Sequence, residues 1–407
     1  MKAADLEALR TVAAADVFKG GRHAGRLVRD TEGVRFSYLP GYLEANGRAV
    51  ATTLPLTDEP VRTRSGAVPP FFAGLLPEGR RLSSLRRAVK TSADDELSLL
   101  LAVGRDTIGD VQAVVQGGQP APAEPLVEVE SDWSEVRFAE VLTDAGVVDP
   151  VALPGVQDKV SARMLSVPVG RRGERFLLKL DPPEFPHVVK NEAYFLELAR
   201  QIRIDAARAS VIHDAEGRAG LLVRRFDRVP LPSGETMPLA CEDACQVLGR
   251  WPADKYNVTS EEVVGALADR CPARPVALQR LFQQLSYAWL TGNGDVHAKN
   301  LSILSTPEGE WRVAPAYDVP STVPYGDDSL ALSLQGRTRG LSRRHWLGFA
   351  TEIGLPEPAA VTVLDDVIER LAGLEERLSE RALPFPQKAT ADLIAELRHR
   401  RRQVASA

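Results

Sequence analysis

The sequence has few cysteines and lacks any long apolar run. Its three cysteines, Cys241, Cys245 and Cys271, form no C-x-x-C pair and no disulfide framework, which fits a reducing compartment. No stretch approaches the roughly 20 apolar residues of a membrane span. The initial MKAADLEALR also lacks the apolar core of a signal peptide. These absences predict a cytoplasmic protein with no membrane association.

The chain is also poor in lysine and has little net charge. It contains 9 Lys against 41 Arg, and its formal net charge of −5 provides no general attraction for nucleic acid. Three of the nine lysines, Lys159, Lys179 and Lys299, nevertheless fall inside the motifs described below. An ammonium and a guanidinium are not interchangeable at a phosphate. A lysine that is kept in an arginine-rich chain therefore suggests a chemical need.

The most informative motif is Asp295-Val-His-Ala-Lys-Asn300. It places a carboxylate five residues ahead of an amide, which is the spacing of a protein-kinase catalytic loop. In such a loop the Asp accepts the proton of the attacking hydroxyl, and the Asn holds Mg²⁺. The spacing alone is common by chance. His297 could bind a metal, but no second His lies close in sequence, so packing beneath the loop is the better interpretation.

A second carboxylate, Asp318, strengthens this interpretation. Between Asn300 and Asp318 lie two short apolar runs around a Pro/Gly turn, which predicts a β-hairpin over Leu301–Val313. A hairpin brings its two ends together. We therefore expect Asn300 and Asp318 to flank one cation.

Three upstream features fit phosphate binding. The segment Pro154–Lys159 places a Gly turn before a Lys, and such a turn can lay backbone N–H groups over phosphates, although an ordinary strand-entry turn looks the same. Lys179 ends an apolar strand, and Glu192 follows 13 residues later near a helix start. A strand Lys paired with a helix Glu positions the α- and β-phosphates in kinases. A solvent-exposed Lys179, or a Glu192 that only stabilises the helix dipole, fits equally well.

The order of elements predicts four regions. Residues 1–116 read as a β-rich domain, 117–132 as a linker, 133–240 as a β-rich kinase N-lobe, and 241–407 as a helical C-lobe. Arg224–Arg228 joins the last two regions, where a kinase hinge would meet adenine; a charged surface corner is the alternative. We also predict a helical section from Phe71 to about Lys90, and helices at Asp94–Val103, Asn191–Ile202 and Asp365–Glu380.

In this order, the motifs resemble the HipA family of serine/threonine kinase toxins over nearly the whole chain. The residues that carry the resemblance are Tyr38, Leu54-Pro55-Leu56, Phe71–Gly79, Gly109–Gln112, Gly155–Lys159, Lys179, Asn191-Glu192, Arg225–Arg228, Glu242–Gln246, Gly292–Asn300 and Tyr317-Asp318.

The resemblance implies an α+β, two-lobed protein-kinase-like fold and ATP with Mg²⁺ as cofactors. It implies Asp295 as the catalytic residue and Asn300 and Asp318 as metal ligands, with His297 and Lys299 also supporting the catalytic loop. The implied nucleotide contacts are Pro154, Gly155, Val156, Gln157, Asp158, Lys159, Lys179, Arg224, Phe226, His297, Lys299 and Tyr317.

The resemblance also implies partners. The acceptor would be a hydroxyl of a cellular protein, and aminoacyl-tRNA synthetases are the known kind of target. A small helix-turn-helix antitoxin would neutralise the kinase and carry it to operator DNA, so DNA contact would be indirect. One departure concerns control: Ala152 aligns with a serine that family members often autophosphorylate.

Two other functions remain compatible with the sequence. The two-lobed fold also serves small-molecule kinases, although the full N-terminal domain argues against that reading. A catalytically weak co-repressor is the second, and the joint presence of Lys179, Asp295, Asn300 and Asp318 argues against it.

Overall fold

The N-terminal part of the chain, from Ala3 to Val115, contains a five-stranded sheet whose first three strands are joined by tight turns. The computed structural model describes residues 3–120, 127–128, 132–144, 165–171, 174–233 and 235–405. The first sheet is antiparallel, in the order β4-β3-β2-β1-β5. Gly20 and Gly21, with φ of 55° and 77°, form the two-residue turn between its first two strands. The strands are β1 (Ala14–Lys19), β2 (Arg22–Arg29), β3 (Gly33–Tyr38), β4 (Val61–Arg64) and β5 (Val111–Val115).

Five helices cover this sheet and enclose a core that includes Leu27, Phe36 and Phe72. The prediction of a single helical section up to Lys90 is wrong, because one helix ends at Gly74 and a separate helix begins at Gly79. Pro77 disfavours helical backbone at the residue before it. The next helix begins at Glu96, with Asp95 rather than Asp94 accepting a hydrogen bond from the Ser98 N–H. The helices are α1 (Ala3–Ala8), α2 (Pro40–Glu44), α3 (Pro70–Gly74), α4 (Gly79–Val89) and α5 (Glu96–Val103).

A second sheet has the order β6-β7-β8-β10-β9. Trp133, Phe138 and Leu178 belong to the apolar core on one of its faces. Its strands are β6 (Val127–Glu128), β7 (Leu165–Arg171), β8 (Glu174–Leu180), β9 (Ala209–His213) and β10 (Ala219–Arg224), and its helices are α6 (Phe138–Asp144) and α7 (Val188–Gln201).

Helix α7 begins earlier than the sequence predicted. The Asp181 carboxylate accepts hydrogen bonds from the backbone N–H groups of His187 and Val189, at 3.0 and 2.7 Å, and so caps the helix start. Asn191 is therefore not the cap. It lies buried inside the helix, where its amide Nδ2 donates to the Ser321 carbonyl at 2.8 Å.

The remainder of the chain is mostly helical and holds the largest core. A three-stranded sheet, β13-β14-β15, lies within it, and the pairing of β14 with β15 confirms the predicted hairpin. The helix predicted over Asp365–Glu380 is two helices, because Gly373 takes a left-handed φ of 77° between them. The strands are β11 (Arg228–Pro230), β12 (Thr236–Pro238), β13 (Cys241–Asp243), β14 (Ser302–Ser305) and β15 (Trp311–Val313). The helices are α8 (Ala244–Val247), α9 (Ser260–Arg270), α10 (Arg274–Leu290), α11 (Arg343–Ile353), α12 (Glu357–Arg370), α13 (Leu374–Ser379) and α14 (Gln387–Ala405). Within the described ranges, no helix is both long and apolar enough to cross a membrane.

A buried polar cluster joins the N-terminal part to the segment after β10. Asp227 accepts hydrogen bonds from Arg225 and Arg228 at 2.8 and 2.7 Å. It also accepts from the backbone N–H of Gly109 at 2.9 Å. Asp106 pairs with Arg225 at 2.6 Å from the other side. Burial raises the pKa of Asp227, but the two guanidinium groups lower it more, to about 2.

We expect Asp227→Asn to destabilise the protein by about 3–5 kcal/mol at pH 7, because two buried guanidinium groups then share the single carboxylate of Asp106. The wild-type pKa lies below the usual 3.8, so this stability is present above about pH 4 and is lost as the pH falls towards 2. Urea unfolding at pH 7 and pH 3 measures both effects. As a control, Glu174→Gln removes the half-exposed partner of Arg224 and should cost less than about 1 kcal/mol. Equal losses in the two variants would contradict this account.

Candidate active site

Strand β8 and helix α7 bring a lysine and two carboxylates together. Leu178 and Leu180 face the core beneath β8, so Lys179 projects from the opposite face. Its Nζ lies 2.7 Å from Glu192 Oε1 and 3.1 Å from Asp318 Oδ1. Only 12% of the Lys179 side chain and 1% of the Glu192 side chain are exposed. Lys179 is therefore buried and paired with Glu192, and it is not the solvent-exposed lysine that the sequence also allowed.

The charges in this triad depend on one another. Burial lowers the pKa of Lys179, but Asp318 and Glu192 raise it by more, so the ammonium stays protonated. Burial also raises the pKa of Glu192, while Lys179 opposes that rise. One cation thus serves two carboxylates, and the group carries net negative charge when all three are ionised. A further cation next to Asp318 would be electrostatically favoured.

Hydrogen bonds within the loop after α10 fix the position of Asp295. The Asn293 side-chain oxygen accepts from the Asp295 backbone N–H at 2.9 Å. The Asn300 amide Nδ2 donates to the Asp295 carbonyl oxygen at 2.8 Å. From a different segment, the Tyr256 hydroxyl donates to Asp295 Oδ1 at 3.0 Å. A donor at this oxygen stabilises the charged carboxylate, and only 1% of Asp295 is exposed.

Asp318 follows β15 in a left-handed conformation, with φ of 56°. Such backbone is uncommon for a residue other than glycine and is found at functional sites. Its carbonyl oxygen accepts from the Asn293 side-chain amide at 3.2 Å. Asn293 therefore contacts both Asp295 and Asp318 and ties the loop to the far end of the hairpin.

The donor set fits Mg²⁺. Asn300 and Asp318 supply an amide and carboxylate oxygens, which are hard ligands, and Mg²⁺ in nucleotide sites takes few ligands from protein. In the described part of the chain, no cluster of three or more His, Cys, Asp or Glu side chains is placed to hold a metal.

A cavity of about 280 Å³ adjoins the triad. Lys179, Phe226 and Tyr317 line it, together with Arg224. The Phe226 and Tyr317 rings pack with their centroids 5.6 Å apart. The Tyr317 hydroxyl donates to the Lys299 carbonyl at 2.6 Å. Arg224 pairs with Glu174 at 2.7 Å, so its side chain is engaged at the sheet.

Of the other predicted site residues, His297 and Lys299 lie in the described structure and the phosphate loop does not. His297 is buried, and its ring centroid lies 5.1 Å from that of Tyr256 in an edge-to-face arrangement, which agrees with packing beneath the loop. Lys299 pairs with Asp243 at 2.5 Å, so a carboxylate already matches its charge. The predicted phosphate loop, Pro154–Lys159, lies outside the described residues, as does Ala152.

Sequence reasoning assigned no site role to Tyr256, Asn293 or Asp243, although the last two lie in segments that carry the family resemblance. Asn293 carried a usable signal, since it lies between two glycines immediately before the motif. Tyr256 carried none, because it is 39 residues from Asp295 and only the tertiary fold joins them.

Comparisons with known proteins agree with this architecture. The sequence model of the HipA-like C-terminal domain matches residues 151–373, and that of the HipA N-terminal domain matches residues 15–114. The chain is 30% identical to the putative kinase Y4mE of Sinorhizobium fredii over 91% of this chain and 93% of that protein. It is 26% identical to the serine/threonine-protein kinase toxin HipA of Shewanella oneidensis over 81% and 80%.

The solved complex of Shewanella oneidensis HipA with HipB and operator DNA contains a similar chain. The TM-score is 0.77 at 22% identity, and the alignment covers 96% of this chain and 97% of that one. This match confirms the predicted α+β, two-lobed kinase-like fold.

The triad predicts a pH-dependent loss of stability in Lys179→Met. Without the ammonium, Glu192 stays buried beside Asp318, so its folded pKa rises further above the unfolded value. A raised acid pKa means that stability falls as the pH rises between those two values. The melting temperature of the variant should therefore fall further below wild type at pH 8 than at pH 5.5. A deficit that is independent of pH would contradict this view of the triad.

Proposed function

Because the chain belongs to the HipA family, we propose that it is an ATP-dependent protein serine/threonine kinase of the toxin type. It would transfer the γ-phosphate of ATP to a hydroxyl of a cellular protein and thereby arrest growth. The observation that carries the proposal is the buried Lys179, held by Glu192 and Asp318 at the edge of a cavity next to the Asp295 loop. That arrangement supports the proposal, because kinases use a strand Lys paired with a helix Glu beside a metal-binding carboxylate and a catalytic Asp.

Each residue has a defined role in this proposal. Asp295 orients the acceptor hydroxyl and takes its proton. Asn300 and Asp318 hold Mg²⁺, which neutralises phosphate charge when it is bound. Lys179 would contact the α- and β-phosphates, and residues 154–159, which lie outside the described residues, are the predicted phosphate loop. The adenine would lie against Phe226 and Tyr317, with the backbone at Arg224 beside it.

The proposed binding partners are inferred from the similar solved structure. The similar solved structure contains HipA together with HipB and operator DNA, so we propose that a small helix-turn-helix antitoxin binds this chain and that DNA contact is indirect. A cytoplasmic protein substrate, in the class of aminoacyl-tRNA synthetases, is the proposed acceptor.

Asp295→Asn tests the proposal directly. The change removes the proton acceptor but leaves the phosphate and metal contacts in place. Phosphoryl transfer should fall by several orders of magnitude, about 4 kcal/mol or more of transition-state stabilisation. Transfer of labelled phosphate to protein reports the loss, and calorimetry should show that ATP binding is retained. Near-normal turnover in this variant would show that Asp295 is not the proton acceptor.

Asp318→Ala should weaken ATP binding more in the presence of Mg²⁺ than in its absence. Asp318 is one of two protein ligands proposed for the cation, so its loss removes a contact that exists only with the metal. Calorimetric titration with ATP, with and without Mg²⁺, measures the difference. Equal weakening under both conditions would mean that Asp318 acts only as the partner of Lys179.

A further inference from the structure

The N-terminal part of the chain packs directly against the candidate active site. The Gln246 side chain, on the short helix α8, donates to the Phe71 carbonyl at 2.9 Å. A Cβ at Gly74 would lie 2.6 Å from Gln246 Cγ, so this approach requires glycine. The segment after α3 is thus held close to the loop that carries Asp295.

Glu78 lies at the end of that segment, between two lysines. Its Oε2 is 2.5 Å from Lys255 Nζ, and its Oε1 is 3.9 Å from Lys299 Nζ. Lys299 also donates to the Gly74 carbonyl at 3.1 Å. The two lysine side chains are only 12% and 11% exposed, so these contacts are better shielded than surface ion pairs.

Both lysines connect to the catalytic loop. Lys299 is part of the loop itself. Lys255 accepts a hydrogen bond at its carbonyl oxygen from the Ala298 backbone N–H, at 3.1 Å. The next residue, Tyr256, donates to Asp295 Oδ1 at 3.0 Å. A short series of contacts therefore runs from Glu78 through Lys255 and Tyr256 to the proposed proton acceptor.

Glu78 is the carboxylate that pairs with Lys255 within the part of the chain that the structure describes. Removing it would leave a largely buried ammonium without a counter-ion, and we expect the Lys255–Tyr256 segment to shift as that ammonium moves toward water. Such a movement would change the direction from which the Tyr256 hydroxyl meets Asp295.

We propose that Glu78 is a positioning residue for phosphoryl transfer, and that the N-terminal part completes the kinase instead of serving only to bind partners. This inference rests on the proposed kinase function. Its effect is on the orientation of Asp295, because the close contact of Glu78, 2.5 Å to Lys255, leads to that residue, whereas its distance to Lys299 is 3.9 Å. The rate of the chemical step should therefore change more than ATP affinity does.

The test compares Glu78→Gln with Glu184→Gln. The control breaks the Arg80–Glu184 pair at 2.6 Å, which also joins the N-terminal part to the rest of the chain. In Glu78→Gln, kcat should fall about tenfold or more, since small misplacements of reacting groups have large effects on rate. KM and Kd for ATP should change less than about twofold. In Glu184→Gln, all three should match wild type.

A double-variant cycle with Lys255→Gln locates the effect. If Glu78 acts through Lys255, the double variant should lose no more activity than either single variant. Independent, multiplying losses would overturn the proposal, as would a Glu78→Gln enzyme with wild-type kcat or with losses that match those of Glu184→Gln.

Hydrogen exchange provides a readout that needs no activity. Amides of residues 293–300 should exchange faster in Glu78→Gln than in wild type and Glu184→Gln. Unchanged exchange there would overturn the inference. A wild-type chain that transfers no phosphate would instead count against the proposed function, and hydrogen exchange would still decide the role of Glu78.

Discussion

The buried ammonium of Lys179 is the constraint on which the site depends. It comes from a strand, its partner Glu192 comes from a helix, and Asp318 comes from the segment after a hairpin. A charge at this depth is tolerated only when it is paired, so the three elements must meet at one point. The hydrogen bonds of Asn293 to Asp295 and to Asp318 then fix the position of the Asp295 loop relative to Asp318. The pairing thus fixes the mutual positions of the proposed phosphate, metal and proton-transfer groups.

Polar contacts also fix the N-terminal part against the remainder of the chain. Asp227 and its arginines hold one end of that junction, and Glu78 with its two lysines holds the other. Because these charges are largely buried, they lose their compensation if the parts separate. An apolar contact would tolerate sliding, whereas paired charges define one relative position. The cavity between the two ends is lined from both sides, by Leu76 and Ile108 of the N-terminal part and by Phe226.

Local sequence patterns were enough for the hairpin after Asn300, which alternation and turn residues predict. They allowed the Lys179–Glu192 pair but left a solvent-exposed Lys179 open, and the fold class followed from the family resemblance. The sequence failed where contacts outside such local patterns decide the outcome. Asp181 starts helix α7 ahead of Asn191, and Tyr256 reaches Asp295 from another segment. No periodicity or spacing reports contacts of that kind, and the choice between Asp94 and Asp95 as a cap depends on loop geometry.

The most direct test of the central claim is the fate of the γ-phosphate. The purified chain would be incubated with γ-labelled ATP, Mg²⁺ and a cell lysate, and the label would be traced to its acceptor. The account predicts label on serine or threonine hydroxyls of protein, and no transfer when Mg²⁺ is chelated. Label found only in small molecules or in free phosphate would contradict it.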